Sequence, residues 1–396
     1  MKFNKKVFDN GLILLHEKRD VPVTTMTVAV KYGSGHDSIK EKGMAHFIEH
    51  LCLKGTEKRT AREISYSLEK VGGYLNAFTS DEQTAYFVKL PSQHIRTAID
   101  VLFDVFFNAS FPEEEIKKEA GVVCEEINMY KDHPMRHVLD KLREHLYDKP
   151  FGMSALGKAD VIKKMTRQQL IDKHREIYVP SNTIVSVVGN NDFEEVVKLV
   201  EEFCVNREGR KVDKIHLKKM NKQGEERREN LQQANVALGF HFPTACCEGR
   251  YAAEIFSSIL GEGMSSRLFE EVREKRGLAY VIKSELDIGK DYGYLLVYIG
   301  TDAGKVDEAI DICLQEFKKM SHLTEQELEE GKEKVIGNHE VHSEASDEAS
   351  MSLIFEEIVG NADNFYKYKE EINKVKMEDI RKLAEHAEYA SFVLKP

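Results

Sequence analysis

The order of apolar and polar residues changes period along the chain, and each change predicts an element. Residues 7–17 read as strand sequence around an Asn10-Gly11 hairpin turn. Residues 24–30, Thr-Thr-Met-Thr-Val-Ala-Val, are β-branched and apolar and predict a strand ending at Gly33-Ser34-Gly35. The period then lengthens. Met44, Phe47, Ile48 and Leu51 fit the i, i+3, i+4, i+7 template of a helix that stops at Gly55. Thr60-x-x-Glu63 is a capping box opening the next helix, and Gly72-Gly73 ends it. Residues 75–79 and 84–88 predict a hairpin around Ser80-Asp81-Glu82-Gln83. Helices follow over about 93–108, from Pro112 to about Tyr130, over 134–147 and over 166–178, the last opened by Thr166-x-x-Gln169. Residues 182–189 read as a buried strand and 193–204 as a helix.

The stretch 206–230 is heavily charged with little apolar pattern and reads as a linker. Beyond it the plan repeats weakly. Residues 234–242 predict a strand, 252–260 and 266–275 helices, and 278–286 with 292–300 paired strands. Residues 306–320 predict a helix, and Thr324-x-x-Glu327 caps a long one running towards Gly360. Both halves thus read as strand, helices, hairpin, helices. The expected division is an N-terminal domain over 1–210, a linker over 211–230 and a similar C-terminal domain over 231–396.

Length and charge narrow the function classes. A chain of 396 residues exceeds one ordinary core. A net charge of −11 without a long basic run argues against nucleic acid as a partner. No stretch approaches the ~18 apolar residues of a membrane helix, and no signal peptide follows Met1. The six cysteines form no C-x-x-C pair, which suits reduced thiols in a cytoplasmic protein.

The candidate chemistry lies in the helix over 44–51. His46-Phe47-Ile48-Glu49-His50 is His-x-x-Glu-His, an inverted zinc-peptidase order. On a helix the two imidazoles share a face, opposite the apolar stripe, and can bind one metal ion. Glu49 lies on the flank of that face, where a carboxylate reaches a metal-bound water without being a ligand. In a chain of this composition the motif is expected by chance roughly 0.1 times, so it needs support from elsewhere.

The helix beginning at Pro112 offers a third ligand. Its stripe is Ile116, Ala120, Val123, Ile127 and Tyr130. Glu119 and Glu126, two turns apart, both fall on the stripe's edge, whereas Glu125 points away. The residues alone leave Glu119 and Glu126 as alternatives. His133 and His137 have no carboxylate between them and straddle a break at Pro134, and His339 with His342 lacks supporting apolar helix geometry for a metal.

Gly43-Met44-Ala45-His46-Phe47-Ile48-Glu49-His50-Leu51 followed by Lys54-Gly55-Thr56 resembles the pitrilysin, insulin-degrading enzyme and mitochondrial processing peptidase family. So do Leu75-Asn76-Ala77-Phe78-Thr79, the run from Glu119 to Glu126-Ile127, and Ser266-Arg267-Leu268-Phe269-x-x-Val272-Arg273-x-x-x-Gly277-Leu278-Ala279-Tyr280. The resemblance implies that His46, His50 and Glu126 hold one zinc ion, that Glu49 is the general base and that Glu119 is an accessory acid. It implies that Asn76, Ala77 and Phe78 belong to an edge strand to which substrate adds. Arg273 and Tyr280 match a pair that approaches the peptide from a metal-free half; by themselves they read as a salt-bridged helix arginine and a core tyrosine. The implied fold is α+β, two similar domains, each a mostly antiparallel sheet packed with helices, together one half of a clam-shell peptidase chamber. The implied activity is zinc-dependent endopeptidase action on peptides or unfolded segments, with two chains pairing, as a homodimer, to close the chamber. The alternative is a non-catalytic peptide-binding or partner subunit, against which the intact motif argues.

Overall fold

The computed structural model describes residues 2–385 and 388–396. The chain divides into two units, each discontinuous in sequence. One comprises Met1–Ile127, Ala155–Ile215 and Val341–Phe365; the other comprises Asn128–Ser154, His216–Glu340 and Tyr366–Pro396. The fold class is α+β, as expected.

The first unit begins with strands β1 (Lys2–Val7), β2 (Ile13–Lys18) and β3 (Val23–Val30), then helices α1 (Met44–Cys52) and α2 (Ala61–Glu69). The hairpin β4 (Tyr74–Thr79) and β5 (Thr84–Pro91) follows, then α3 (Ile95–Phe107) and α4 (Glu113–Asp132). After α5 (Pro134–Leu146), which belongs to the second unit, come α6 (Ala159–Ile162), α7 (Arg167–Ile177), β6 (Thr183–Gly189) and α8 (Phe193–Phe203). The capping boxes at Thr60 and Thr166 form as the sequence requires, each hydroxyl accepting from the N3 amide. The six strands pair in the order β1-β2-β6-β3-β5-β4, antiparallel except for β2 with β6.

The second unit holds β7 (Gln223–Arg227), β8 (Ala234–His241), α9 (Arg250–Gly261), β9 (Ala279–Ile288), β10 (Gly293–Thr301), α10 (Val306–Lys319) and α11 (Glu325–Ser343). The chain then returns to the first unit with α12 (Ser346–Val359). It ends in the second with α13 (Asn364–Lys374), α14 (Met377–Ala384) and β11 (Ala390–Lys395). Its sheet runs β7-β11-β8-β10-β9, antiparallel except for β11 with β7.

Strand alternation explains how the layers form. In the first unit Leu15, Ala29, Ala85, Ile184 and Val188 face α12, where Ala349, Leu353, Ile354 and Ile358 bury against them. Small residues let that helix approach, and Thr25 and Thr27 meet Ser346 and Ser350 at 2.8 Å. Tyr86, of opposite parity, meets Phe106 of α3 at 5.9 Å on the other face. In the second unit Val236, Leu238, Phe240, Leu295, Val297 and Ile299 face a core shared with α9, α10 and α14. The alternate β8 positions, among them Ala237 and Gly239, lie towards α5.

Three expectations need correction. The single long helix towards Gly360 breaks at 344–345 into α11 and α12, because α12 carries its own stripe for the first sheet. The charged stretch 211–230 is no plain linker: it contains β7, an edge strand held parallel to β11. Contiguous domains over 1–210 and 231–396 do not describe these units, since α5 and α12 each pack on the sheet of the other stretch of sequence. Among the described residues none of the six cysteines is in a disulfide, and no helix is long and apolar enough to cross a membrane.

One buried group makes the first unit pH-sensitive. His174 is buried in α7, with Nε2 2.8 Å from the Phe106 carbonyl oxygen, and burial pulls its pKa down to about 3. The unfolded chain gains a proton at this residue below about pH 6.5, and the folded chain does not. Stability is therefore full above that pH and falls as the pH drops, by about 2 kcal/mol at pH 5 from this residue. Urea midpoints compared at pH 7 and pH 5 should fall more steeply for the wild type than for His174→Gln.

Candidate metal centre

The site is built on α1. Gly43 precedes the helix at φ +99°, a left-handed conformation in which a Cβ would also meet the Leu156 carbonyl oxygen at 2.7 Å. The buried Asp37 carboxylate accepts hydrogen bonds from the Gly43 amide at 2.9 Å, the Ala45 amide at 3.3 Å and the Tyr32 hydroxyl at 2.8 Å. It thereby satisfies amides that the helix start leaves open and suits the positive end of the helix dipole. Burial pushes the Asp37 pKa up to about 6, against the pull of Lys42, whose ammonium donates to the Ser34 carbonyl oxygen at 2.7 Å. At the other end, Thr56 donates to Asp104 of α3 at 2.7 Å, so the Lys54-Gly55-Thr56 turn docks the helix exit.

Contrary to a simple two-faced helix, nearly all of α1 is buried, with His46 and Glu49 among the buried residues. His46, His50 and Glu126 offer one ligand atom each, all within 4.8 Å of one another. Glu126 Oε2 lies 3.6 Å from His46 Nε2 and 3.6 Å from His50 Nε2. That is beyond an ordinary hydrogen bond of ~2.7–3.2 Å. It is close to the ~3.3 Å that separates two ligand atoms bound tetrahedrally at ~2.0–2.1 Å from zinc. The buried Nδ1 of His46 has no hydrogen-bond partner, so the protein alone does not account for the ring's position. Two imidazoles and a carboxylate are also the donor set of three-ligand zinc sites with an open position. The residues present fit the metal.

Glu119 occupies a different place from Glu126. Its Oε2 is 3.1 Å from His50 Nδ1, and its Oε1 is 2.8 Å from the Lys54 ammonium. With Nδ1–H donating to Glu119, the Nε2 lone pair of His50 faces Glu126. The two carboxylates that the sequence left as alternatives thus separate into one facing both imidazoles and one orienting a single ring.

The electrostatics follow burial. Burial lowers His46 to about 4, helped by neighbouring His50, so His46 is a neutral imidazole at neutral pH. For His50 burial pulls down, but the neighbouring Glu126 and Glu119 carboxylates outweigh it and the pKa rises. Burial raises Glu49, resisted by the hydrogen bond from Thr79 and by His50.

The strand expected to receive substrate, β4, is the edge of its sheet. Asn76 is exposed and Ala77 and Phe78 are partly so. The Ala77 amide bonds to the Asn76 side-chain oxygen at 2.9 Å, so it faces the open edge and not β5. Thr79, at the end of this strand, donates to Glu49 Oε2 at 2.7 Å. Thr79 and Lys54 carry no motif of their own that marks them as functional. For Thr79 the available signal was strand parity, which puts it on the same face as Ala77.

Arg273 and Tyr280 lie together in the second unit. Arg273 sits on the π-helical segment Phe269–Glu274, its guanidinium carbon 4.7 Å from the Phe269 ring centroid and 5.5 Å from that of Tyr280. Tyr280 is 71% exposed, so it is no core tyrosine. Arg273 is only loosely paired, 3.9 Å from Glu274. His137 bonds Glu226 at 2.9 Å and His339 stacks on Tyr368 at 4.2 Å; among the described residues neither joins a metal-binding group.

Comparison with known proteins places this geometry in a family. Residues 12–158 match the family described as Insulinase (Peptidase family M16), and residues 164–335 match Peptidase M16 inactive domain. The chain is 33% identical over 402 residues to the "Uncharacterized zinc protease YmxG" of Bacillus subtilis (strain 168), covering 98% of this chain and 97% of that protein. It is 32% identical over 392 residues to an "Uncharacterized zinc protease" of Rickettsia felis (strain ATCC VR-1525 / URRWXCal2), covering 96% and 93%. The crystal structure of a protease from Helicobacter pylori superposes with a TM-score of 0.92 at 23% identity, covering 100% of this chain and 99% of that one. A peptidase M16 inactive domain from Pseudomonas fluorescens gives 0.91 at 17%, covering 100% and 98%. At those identities the two structures speak for the fold. The fold, the matched regions and the full-length relatives together make this chain a single-half, bacterial-type member of peptidase family M16, the insulinase family.

Proposed function

We propose that the chain is a zinc-dependent endopeptidase that hydrolyses peptide bonds in peptides or unfolded segments. The observation that carries this is the meeting of His46, His50 and Glu126 beside a buried carboxylate, Glu49, that is not one of the three. The relatives' printed description as zinc proteases supports a metallopeptidase of this kind.

His46, His50 and Glu126 would hold one zinc ion per chain, which would supply Lewis-acid chemistry. Glu49 takes the proton of the attacking water and returns it to the leaving amine. Its burial favours this work, because a carboxylate with a raised pKa is a stronger base. Glu119 holds the His50 ring in the tautomer that presents Nε2, and Lys54 holds Glu119. Substrate adds as an extended strand along β4, at Asn76, Ala77 and Phe78. Main-chain hydrogen bonds then give affinity with modest demand on sequence. Asn76 keeps the Ala77 amide occupied until a peptide carbonyl replaces it. Half-buried Arg273 and exposed Tyr280, side by side, are the contacts proposed for the peptide in the second unit. A second copy of the chain is proposed to close the chamber, which sizing of the purified protein tests directly.

Metal titration against a chelating dye should show one zinc per chain. His50→Ala and Glu126→Gln should abolish tight binding, and Glu119→Gln should weaken it roughly 10–100-fold. Binding by Glu126→Gln equal to wild type would remove the basis of the site. Glu49→Gln should bind zinc normally yet lose roughly 10²–10⁴-fold in kcat on a mixed peptide library. Undiminished turnover by this zinc-loaded variant would refute the role of Glu49.

A further inference from the structure

We infer that Thr79 is a positioning residue that joins the base to the substrate strand, holding Glu49 in place through the same residue whose backbone closes the open edge of β4. The inference rests on the function proposed above.

A hydroxyl has one proton to donate. Thr79 Oγ1 lies 2.7 Å from Glu49 Oε2 and 3.5 Å from Thr84 Oγ1, so the carboxylate takes it. Thr84 is engaged elsewhere, donating to the Tyr32 carbonyl oxygen at 2.9 Å. Strand parity supplies the second half of the argument. The Ala77 amide faces the open edge, and backbone direction repeats every two residues, so Thr79 turns its own amide to that edge as well. The Ser80 amide, of opposite parity, bonds inward to the Gln83 carbonyl oxygen at 2.8 Å. One residue therefore offers its amide to an incoming peptide and its hydroxyl to the catalytic carboxylate.

Thr79 is itself fixed. The hairpin turn just beyond it is clamped by the Ser34 amide on the Ser80 carbonyl oxygen at 2.8 Å and by the Gly35 amide on that of Asp81 at 2.9 Å. The Ser34 hydroxyl adds a bond to Asp81 at 2.9 Å. A Cβ on Gly33 would meet the Ser80 oxygen at 2.2 Å, so the approach is as close as a backbone allows. The donor that aims Glu49 is thus preorganised before substrate arrives.

The test compares the zinc-loaded wild-type chain with Thr79→Val, Thr79→Ala and Thr79→Ser on one fluorescence-quenched peptide library. Valine keeps the shape and strand preference and deletes the donor; serine keeps the donor. The expected result is a kcat lower by roughly 10–100-fold in the valine and alanine variants, with KM within about twofold and zinc affinity unchanged. Serine should recover most of the loss. A kcat within about twofold of wild type for valine and alanine would overturn the inference. So would equal losses for serine and valine, or a loss that tracks zinc affinity. Crystal structures of the zinc-loaded wild type and Thr79→Val give a readout free of activity: the Glu49 carboxylate should leave β4 in the variant, and an unchanged rotamer overturns the inference. Failure of the wild type itself to cleave counts against the proposed function, while the rotamer comparison still decides the role of Thr79.

Discussion

Two buried ionisable side chains and a half-buried one beside them, all on one nine-residue helix, are the constraint around which the first unit is arranged. His46, Glu49 and His50 all lose hydration on α1, and a buried polar group is costly unless it is bonded or paired. Each is met differently. Glu49 receives the Thr79 hydroxyl, and His50 sits between Glu119 and Glu126. His46 is left with a bare Nδ1 and with Nε2 aimed at Glu126 across a gap too long for a hydrogen bond. An ion would bridge the gap between Nε2 and Glu126, while Nδ1 lies on the other side of the ring.

The support converges on one short stretch. Residues 33–37 bond to the β4–β5 turn through the Ser34 and Gly35 amides, and to the start of α1 through Asp37. The strand edge and α1 are therefore registered to each other through one short segment, by backbone at the turn and by the Asp37 carboxylate at the helix start. The function proposed for the site, a base held against an extended peptide, would need such a link, since small misplacements of a reacting group cost large factors in rate.

Much of this was legible because it is local. The His46–His50 spacing, the caps at Thr60 and Thr166 and the β4–β5 hairpin depend on neighbours a few residues away, and each formed as read. What the sequence left open depends on distant partners. Glu119 and Glu126 share an edge of α4, and only the position of α1 against it makes one face both Nε2 atoms and the other face Nδ1. Tyr280 looks like core because it follows an apolar run, yet it starts β9, an edge strand with one side open. β7, Gln-Gly-Glu-Glu-Arg, has no strand-like composition and exists because β11, over 160 residues later, offers it a partner. The break between α11 and α12 has no proline or glycine to announce it; the apolar face of α12 is claimed by another sheet.

The second unit supplies an internal control on what the charges are for. Its α9 stands in the same order as α1, after a central strand and before the edge hairpin, and like α1 it packs on the edge strand of that hairpin. Where α1 and β4 meet through Glu49 and Thr79, α9 and β9 meet through Ser257 and Ser284, with the Ser284 hydroxyl donating to the Ser257 carbonyl oxygen at 2.9 Å. Both serines are buried, and neither carries a charge to desolvate. In the second unit this helix-to-strand contact is made with neutral groups. A buried carboxylate, a buried imidazole and a half-buried one on α1 are a destabilising choice as packing, and the binding and proton-transfer role proposed for them accounts for their presence.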